Sequence, residues 1–236
     1  MFKSRQLRLI SIILSLVLVY GCNISVKKKG ELSEVEQMYN QEQYKNAMNV
    51  ARYNLSKDPK DPASIVTVWK IQVLQGTKSI EYAQQFYFQA KDKVAEYGEP
   101  LIPYLGKAIA TDPHNSVRLF CLYCLTEFQD TLSSKYIAQV YEPDYKLGDK
   151  ASNVTLDFMR SEASMALGAQ KYTPAFDGII ALTKSPDSEI RAKAAMSLGL
   201  LGDQRAIPVL EELAKEKASW VAEMADTALA KIKRGE

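Results

Sequence analysis

Histidine occurs once in the 236 residues and cysteine three times, against 30 basic and 28 acidic side chains. That scarcity of soft ligands leaves no four-ligand zinc set legible, and it leaves few side chains that titrate near neutral pH. Glycine numbers only 11, and no glycine-rich phosphate loop is among them. A net charge of +2 gives no basic footprint of the kind that neutralises nucleic-acid phosphates. Strand-like alternation is missing as well, which argues against a sheet. What remains is a chain 47% hydrophobic and 25% charged, ample for a packed core and far from the composition of disorder.

The amino terminus carries a distinct pattern. Residues 2–8 hold Lys3, Arg5 and Arg8 with no acid, an uncharged run follows from Leu9 to Tyr20, and Gly21-Cys22 comes next. A membrane-spanning helix needs about 20 apolar residues, so this run is short for a span and suits the apolar region of an export signal. Leu18-Val19-Tyr20-Gly21-Cys22 resembles the signal of a bacterial lipoprotein, with Val19 and Gly21 at the expected small-residue places. Tyr20 departs from the pattern, standing where Ala or Ser is usual. The alternative reading is an ordinary signal peptide ending near a cysteine. The resemblance implies removal of residues 1–21, lipidation of Cys22 and attachment to a membrane through the acyl chains. Asn23, which is not Asp, implies the outer membrane, with periplasmic and surface exposure both open. Residues 22–30 then form the lipidated terminus and a short tether ending in Lys27-Lys28-Lys29-Gly30. Loss of the signal would also remove three basic side chains, so the slight basicity of the whole chain belongs to the export segment.

Everything after the tether reads as paired helices, an all-α chain. Asp61-Pro62, Glu99-Pro100, Asp112-Pro113, Thr173-Pro174 and Ser185-Pro186 each precede an amphipathic stretch. Proline at a first helical position loses no hydrogen bond, and Asp, Ser or Thr before it can cap. The spacing predicts helices over 31–41, 43–57, 62–75, 79–97, 100–110, 113–129, 131–141, 153–169, 173–184, 186–200, 203–216 and 218–233.

The carboxy-terminal part repeats. A step of 31 carries Arg160 to Arg191, Ala163 to Ala194, Leu167 to Leu198 and Gly168 to Gly199, and the next step reaches Val221, Ala225 and Leu229. Upstream, Asp112 to Arg118 is similar to Ser185 to Arg191, but the step from Arg118 to Arg160 is 42. The loop near residues 143–150 accounts for most of the surplus. A helix pair recurring at this spacing is a solenoid signature, because one pair cannot bury its apolar face alone. Ser185 to Leu213 resembles the HEAT-like repeats, particularly the short form related to bilin lyases. Over residues 31–98 Tyr44, Ala47, Ala51, Asn54 and Pro59 follow the spacing of a degenerate tetratricopeptide-like unit. The expected architecture is one α-solenoid, with helical hairpins over 31–98 and HEAT-like repeats over 99–236.

Few residues invite a chemical role. Cys121-Leu122-Tyr123-Cys124 has the spacing of a thiol oxidoreductase, but it lies inside a helix, without a preceding strand, and Cys121 falls at the small buried place of Ala194. Packing is the favoured role of Cys121 and Cys124. Arg118, Arg160 and Arg191 share one repeat position and read either as a basic stripe for an anion or as an inter-repeat polar ladder; the repeat resemblance favours the ladder. Asp187, four residues before Arg191, is placed to pair with it on a helix surface. Ala83, Phe86, Tyr87, Ala90, Val94 and Tyr97 trace one helical face, while Tyr82 and Phe88 fall outside its centre and are candidates for an exposed interaction patch.

The expected function is that of a non-enzymatic, lipid-anchored scaffold or adaptor binding a protein or peptide partner in a bacterial envelope. No catalytic residue, cofactor, metal or nucleic acid is expected. An enzyme of bilin-lyase-like or CxxC thiol type, and a surface lipoprotein that captures a ligand, are the alternatives.

Overall fold

The computed structural model describes residues 32–76, 79–148 and 152–235. The signal, Cys22 and the tether lie outside the described residues, as do positions 149 and 150 of the predicted loop. The architecture below is that of the compact unit Glu34–Glu236.

Its helices are α1 (Glu34–Asn40), α2 (Tyr44–Lys57), α3 (Pro62–Gln75), α4 (Ile80–Tyr97), α5 (Ile102–Thr111), α6 (Asn115–Leu125), α7 (Thr131–Ala138), α8 (Leu156–Ala169), α9 (Phe176–Leu182), α10 (Ser188–Leu201), α11 (Ile207–Leu213) and α12 (Ser219–Arg234). No strand occurs among the described residues. Neighbouring helices pack as pairs, and the pairs stack in the manner of an α-solenoid.

Of Asp61, Asp112, Thr173 and Ser185, the residues expected to cap before a proline, only Asp61 does so; Thr173 lies inside a 3₁₀ turn, and His114 and Asp187 take the cap positions nearest Asp112 and Ser185. The Asp61, Ser79, Asp130, Thr155 and Asp187 side chains accept hydrogen bonds from the first backbone amides of α3, α4, α7, α8 and α10. Gly202 and Gly235 close α10 and α12 in the left-handed conformation that glycine adopts without a Cβ penalty. The helix predicted over 113–129 is shorter. His114 takes the cap position and Asn115 is the first helical residue, while the chain turns after Leu125. The turn is pinned at Phe128, whose carbonyl accepts from Ser133 Oγ at 3.0 Å and Gln170 Nε2 at 2.7 Å. The helices expected at 100, 173 and 203 open with a single 3₁₀ turn, at Glu99–Leu101, Thr173–Ala175 and Gln204–Ala206.

The second helices of the last three pairs, α8, α10 and α12, form the most closely packed stack. Small residues allow it. A Cβ on Gly168 would sit 2.6 Å from the Ser197 carbonyl oxygen, and one on Gly199 would sit 2.7 Å from Ala228 Cα. Ser164 and Ser197 complete the contact with a buried hydroxyl pair at 2.8 Å. Thr126 occupies the corresponding place in the earlier repeat, at the end of α6, and α6 and α8 have no comparable backbone contact. The loop from Glu142 to Gly148 fills in beside them. Tyr145 Oη donates to the Ile109 carbonyl at 3.0 Å, and Gly148 N donates to Asn115 Oδ1 at 2.9 Å.

Two hydrophobic clusters underlie the fold. A small one joins Val35, Tyr39, Ala47, Ala51, Ala63 and Ile71 of the first three helices. A large one runs from Ile65 through α4–α12 to Ile232. Trp69 ties the amino-terminal helices to the repeats, with Tyr97 and Phe120 rings at 6.1 and 6.2 Å.

Candidate functional site

The sequence patterns lead to several places in the fold, and the structure treats them differently. Cys121 and Cys124 are completely buried free thiols in α6. Burial pushes both thiols well above their ordinary pKa, the opposite of what an attacking thiolate needs.

The arginine row acts mainly within each helix pair. Arg118 Nε donates to the Asp112 carbonyl, Arg160 Nε to that of Val140 at 2.8 Å, and Arg191 Nη1 to that of Ser185 at 2.7 Å. Each guanidinium thus satisfies a carbonyl exposed after the first helix of its own pair. Contact with the following pair is present at two of the three. Arg118 Nη1 reaches the Lys146 carbonyl in the insertion loop, and Arg191 forms a forked pair with Glu216 at 2.7–3.2 Å. The expected Asp187–Arg191 pair is corrected: the Asp187 carboxylate accepts from Glu189 N at 2.8 Å as a helix cap, and Arg191 turns to Glu216. The carboxylate is held by the backbone amide, and no Asp187–Arg191 ion pair forms among the described residues, although the Arg191 pKa, raised chiefly by the Glu216 hydrogen bond, is raised further by the Asp187 charge.

Tyr82 and Phe88 do not form a joint patch. Tyr82 covers Gly76, where a Cβ would lie 2.1 Å from the ring, and stacks on Phe86 at 6.4 Å. Phe88 is 66% exposed, with its ring 5.3 Å from that of Tyr87. Six residues along a helix turn the side chain by about 120°, so the two face different ways.

His114, the single histidine, belongs to a buried polar joint. The Asp112 carboxylate, with its side chain fully enclosed, lies 2.8 Å from Lys70 Nζ and accepts from His114 N at 3.0 Å. His114 Nδ1 is 3.2 Å away, and Tyr39 Oη donates to the same carboxylate at 3.3 Å. Lys70 Nζ also sits 3.7 Å from the centre of the Tyr39 ring. Burial by itself would raise the Asp112 carboxyl; the hydrogen bonds from His114 and the Lys70 charge outweigh it and hold the group below its ordinary value. This joint connects α1 and α3 to the turn between α5 and α6.

The surface with the strongest interaction character was not singled out by the sequence reading. It is the exposed side of the second helices. Phe158, Glu162 and Met165 on α8 align with Glu189, Lys193 and Met196 on α10 and with Trp220, Met224 and Thr227 on α12. Contacts across the stack establish the alignment. Lys193 Nζ lies 2.7 Å from Glu162, 3.3 Å from Glu189 and 5.1 Å from the centre of the Phe158 ring. Partial burial would lower the Lys193 pKa, but the two carboxylates prevail and raise it. Around this ion-pair network stand Trp220, 52% exposed, and Met196, 39% exposed. Tyr123 lies toward the amino-terminal end, bonded by Gln84 Nε2 at 3.0 Å and 5.6 Å from the Tyr87 ring. The signal that could have found this face is the same step of 31 that revealed the core, applied to the outward positions instead.

Residues 158–230, which run through α8–α12, match the family model for HEAT repeats. No curated protein matches the chain. Repeats of this kind stack into extended surfaces that serve in general as protein-interaction scaffolds. No group of three or more His, Cys, Asp and Glu side chains suited to a metal ion occurs among the described residues. No described helix is long and apolar enough to cross a membrane.

Proposed function

We propose that the protein is a non-enzymatic scaffold that holds a protein or peptide partner against the exposed side of α8, α10 and α12, tethered by a lipid on Cys22 to a bacterial membrane, in particular the outer membrane. The observation that carries this reading is the face itself. Unbranched, polarizable methionines and two aromatic rings surround a compact charged network on a rigid repeat stack. Methionine adapts its shape to different partners, and tryptophan is among the residues that dominate binding energy at interfaces. The anchor is supported by the basic, apolar and small-residue succession that ends at Cys22.

Crosslinking in intact cells, followed by affinity capture, tests the face. Trp220→Ala and Met196→Glu both alter exposed positions and leave the core untouched. Each is expected to cut recovery of the partner, and a hot-spot contribution of about 2 kcal/mol would correspond to roughly 30-fold weaker binding. Equal recovery from the parent and both variants would refute the assignment. Metabolic labelling with palmitate tests the anchor independently: label is expected on the parent and absent from Cys22→Ser, and label retained by that variant would exclude lipidation at Cys22.

A further inference from the structure

The three equivalent arginines differ in one respect that the repeat makes visible. Glu216, the forked partner of Arg191, lies 25 residues after it. The same step from Arg160 reaches Ser185, which offers a short hydroxyl and no carboxylate. Arg160 uses Nε on the Val140 carbonyl, and its two terminal nitrogens have no partner among the described residues. Arg160 lines a cleft of about 270 Å³ between the α7–α8 and α9–α10 pairs.

The cleft is open because its walls are small. Gly178 and Ala181 stand where the next repeat has Val209 and Glu212, one step of 31 later. Gly178 also admits the Tyr141 ring, which a Cβ there would approach to 2.5 Å. Lys184 adds a second positive charge at the rim, and Asp157 adds one negative charge. Neither makes an ion pair with a described residue. The site therefore combines a guanidinium and an ammonium beside a position that holds Ser185 in place of the next repeat's Glu216, the Ser185 hydroxyl accepting from Asp187 N at 3.3 Å.

We propose that this cleft is a carboxylate-binding site, in which the ligand's carboxylate meets the two terminal nitrogens of Arg160, an edge different from the Nε–Nη2 edge that Glu216 takes on Arg191. A planar carboxylate matches the guanidinium fork with two parallel hydrogen bonds, a geometry that a single ammonium cannot reproduce. The ligand is a small free carboxylate or the acidic side chain of a peptide, and Lys184 contributes charge without fixing orientation. Asp157 opposes binding. The site lies in the repeat stack and does not depend on the lipid anchor or on the face formed by Met196 and Trp220.

Titration of the full chain in detergent micelles, followed through ¹⁵N-labelled arginine side-chain signals, tests the site. Glutarate represents the free carboxylate, and the blocked tripeptide alanyl-glutamyl-alanine represents a peptide side chain. A saturable shift of the Arg160 signals is expected with at least one of them, and the tighter of the two identifies the source. Arg160→Lys, which keeps the charge and loses the fork, has no arginine signal to follow; by isothermal titration calorimetry with the same ligand it is expected to bind about tenfold more weakly than the parent. Asp157→Asn is expected to bind more tightly. Ser185→Glu restores the residue of the next repeat; it is expected to abolish the shift and raise the melting temperature by occupying the fork from within. Shifts no greater than those produced by sodium chloride at equal ionic strength would overturn the proposal. So would an undiminished shift in Ser185→Glu, or inorganic phosphate binding tighter than both carboxylates.

Discussion

Asp112→Ala is expected to lower the melting temperature by roughly 6–20 °C, the effect of losing one side of a buried ion pair worth about 3–5 kcal/mol in a domain of this size. Most of that cost comes from the groups that stay behind without their partner. Lys70 is almost enclosed, with a side chain only 12% exposed, and its ammonium would face Tyr39 and an apolar surround without a counter-charge. His114 and Tyr39 would lose their common acceptor as well. Because stacked repeats need not unfold together, the damage should concentrate in α1–α3 and the turn before α6. Hydrogen exchange can read this directly: amides of α1 and α3 should lose protection while those of α10 keep theirs. Pairing the change with Lys70→Met, which removes the stranded charge at similar length, should recover part of the stability. A melting curve for Asp112→Ala indistinguishable from the parent would refute this account of the joint.

The same carboxylate sets a pH dependence. Its folded pKa is depressed, so its contribution is fully present above the ordinary aspartate value of about 4 and fades as pH falls through the lower folded value. Acid should therefore loosen the amino-terminal helices of the parent below about pH 4. The Asp112→Ala, Lys70→Met double variant should lack that component.

Gly168→Ala is expected to destabilise the α8–α10 packing by about 1–3 kcal/mol, although alanine in an exposed helix interior would stabilise by up to about 1 kcal/mol relative to glycine. The added methyl would meet the Ser197 carbonyl oxygen at 2.6 Å, and a backbone atom inside a packed helix cannot rotate aside. Relief requires α8 and α10 to separate, which would also stretch the Ser164–Ser197 hydroxyl contact. The sign of the effect is therefore diagnostic. Gly199→Ala meets Ala228 of α12 at 2.7 Å, and Ala195 and Ala228 stand there in place of the Ser164–Ser197 pair, so with no hydroxyl contact to stretch its cost should be the smaller of the two. Denaturant unfolding of both variants checks the order; stabilisation by Gly168→Ala would show that the two helices do not approach as described.

The repeat brings much of the core into view from the sequence. Alanine and leucine at a step of 31 are buried because each second helix lies on its neighbour in the same register; Ala163, Ala194 and Ala225 all have no exposed surface. Cys121 follows the same rule in the earlier repeat. The proline-led turns placed their helix starts within about three residues, but of the four residues expected to cap only Asp61 does, because the chain turns once more after the other prolines or opens with a 3₁₀ turn. Gly168 and Gly199 were visible as a repeated pair, but their role as points of helix contact required the facing backbone.

Tertiary structure decided the rest, and decided it where partners come from distant segments. Nothing in the sequence sets the single histidine apart, yet Lys70 and Tyr39 arrive from two other helices to make the turn at His114 a buried joint. Tyr82 and Phe88 were neighbours in a crowded aromatic helix, and the packing of Gly76 under one ring separated them. Asp187 was placed by spacing to meet Arg191, but the backbone claimed it as a cap and Glu216 took the arginine from the following repeat.

The low count of histidine, glycine and cysteine, with near-balanced charge, was sufficient by itself to turn the reading away from metal, phosphate and nucleic-acid chemistry and toward an all-helical repeat chain. Local composition and period determine which residues point inward, because both are properties of a single helix. Which outward residues become a face, and which arginine is left without its carboxylate, depend on helices 25 to 42 residues apart meeting in space, and only the folded stack brings them together.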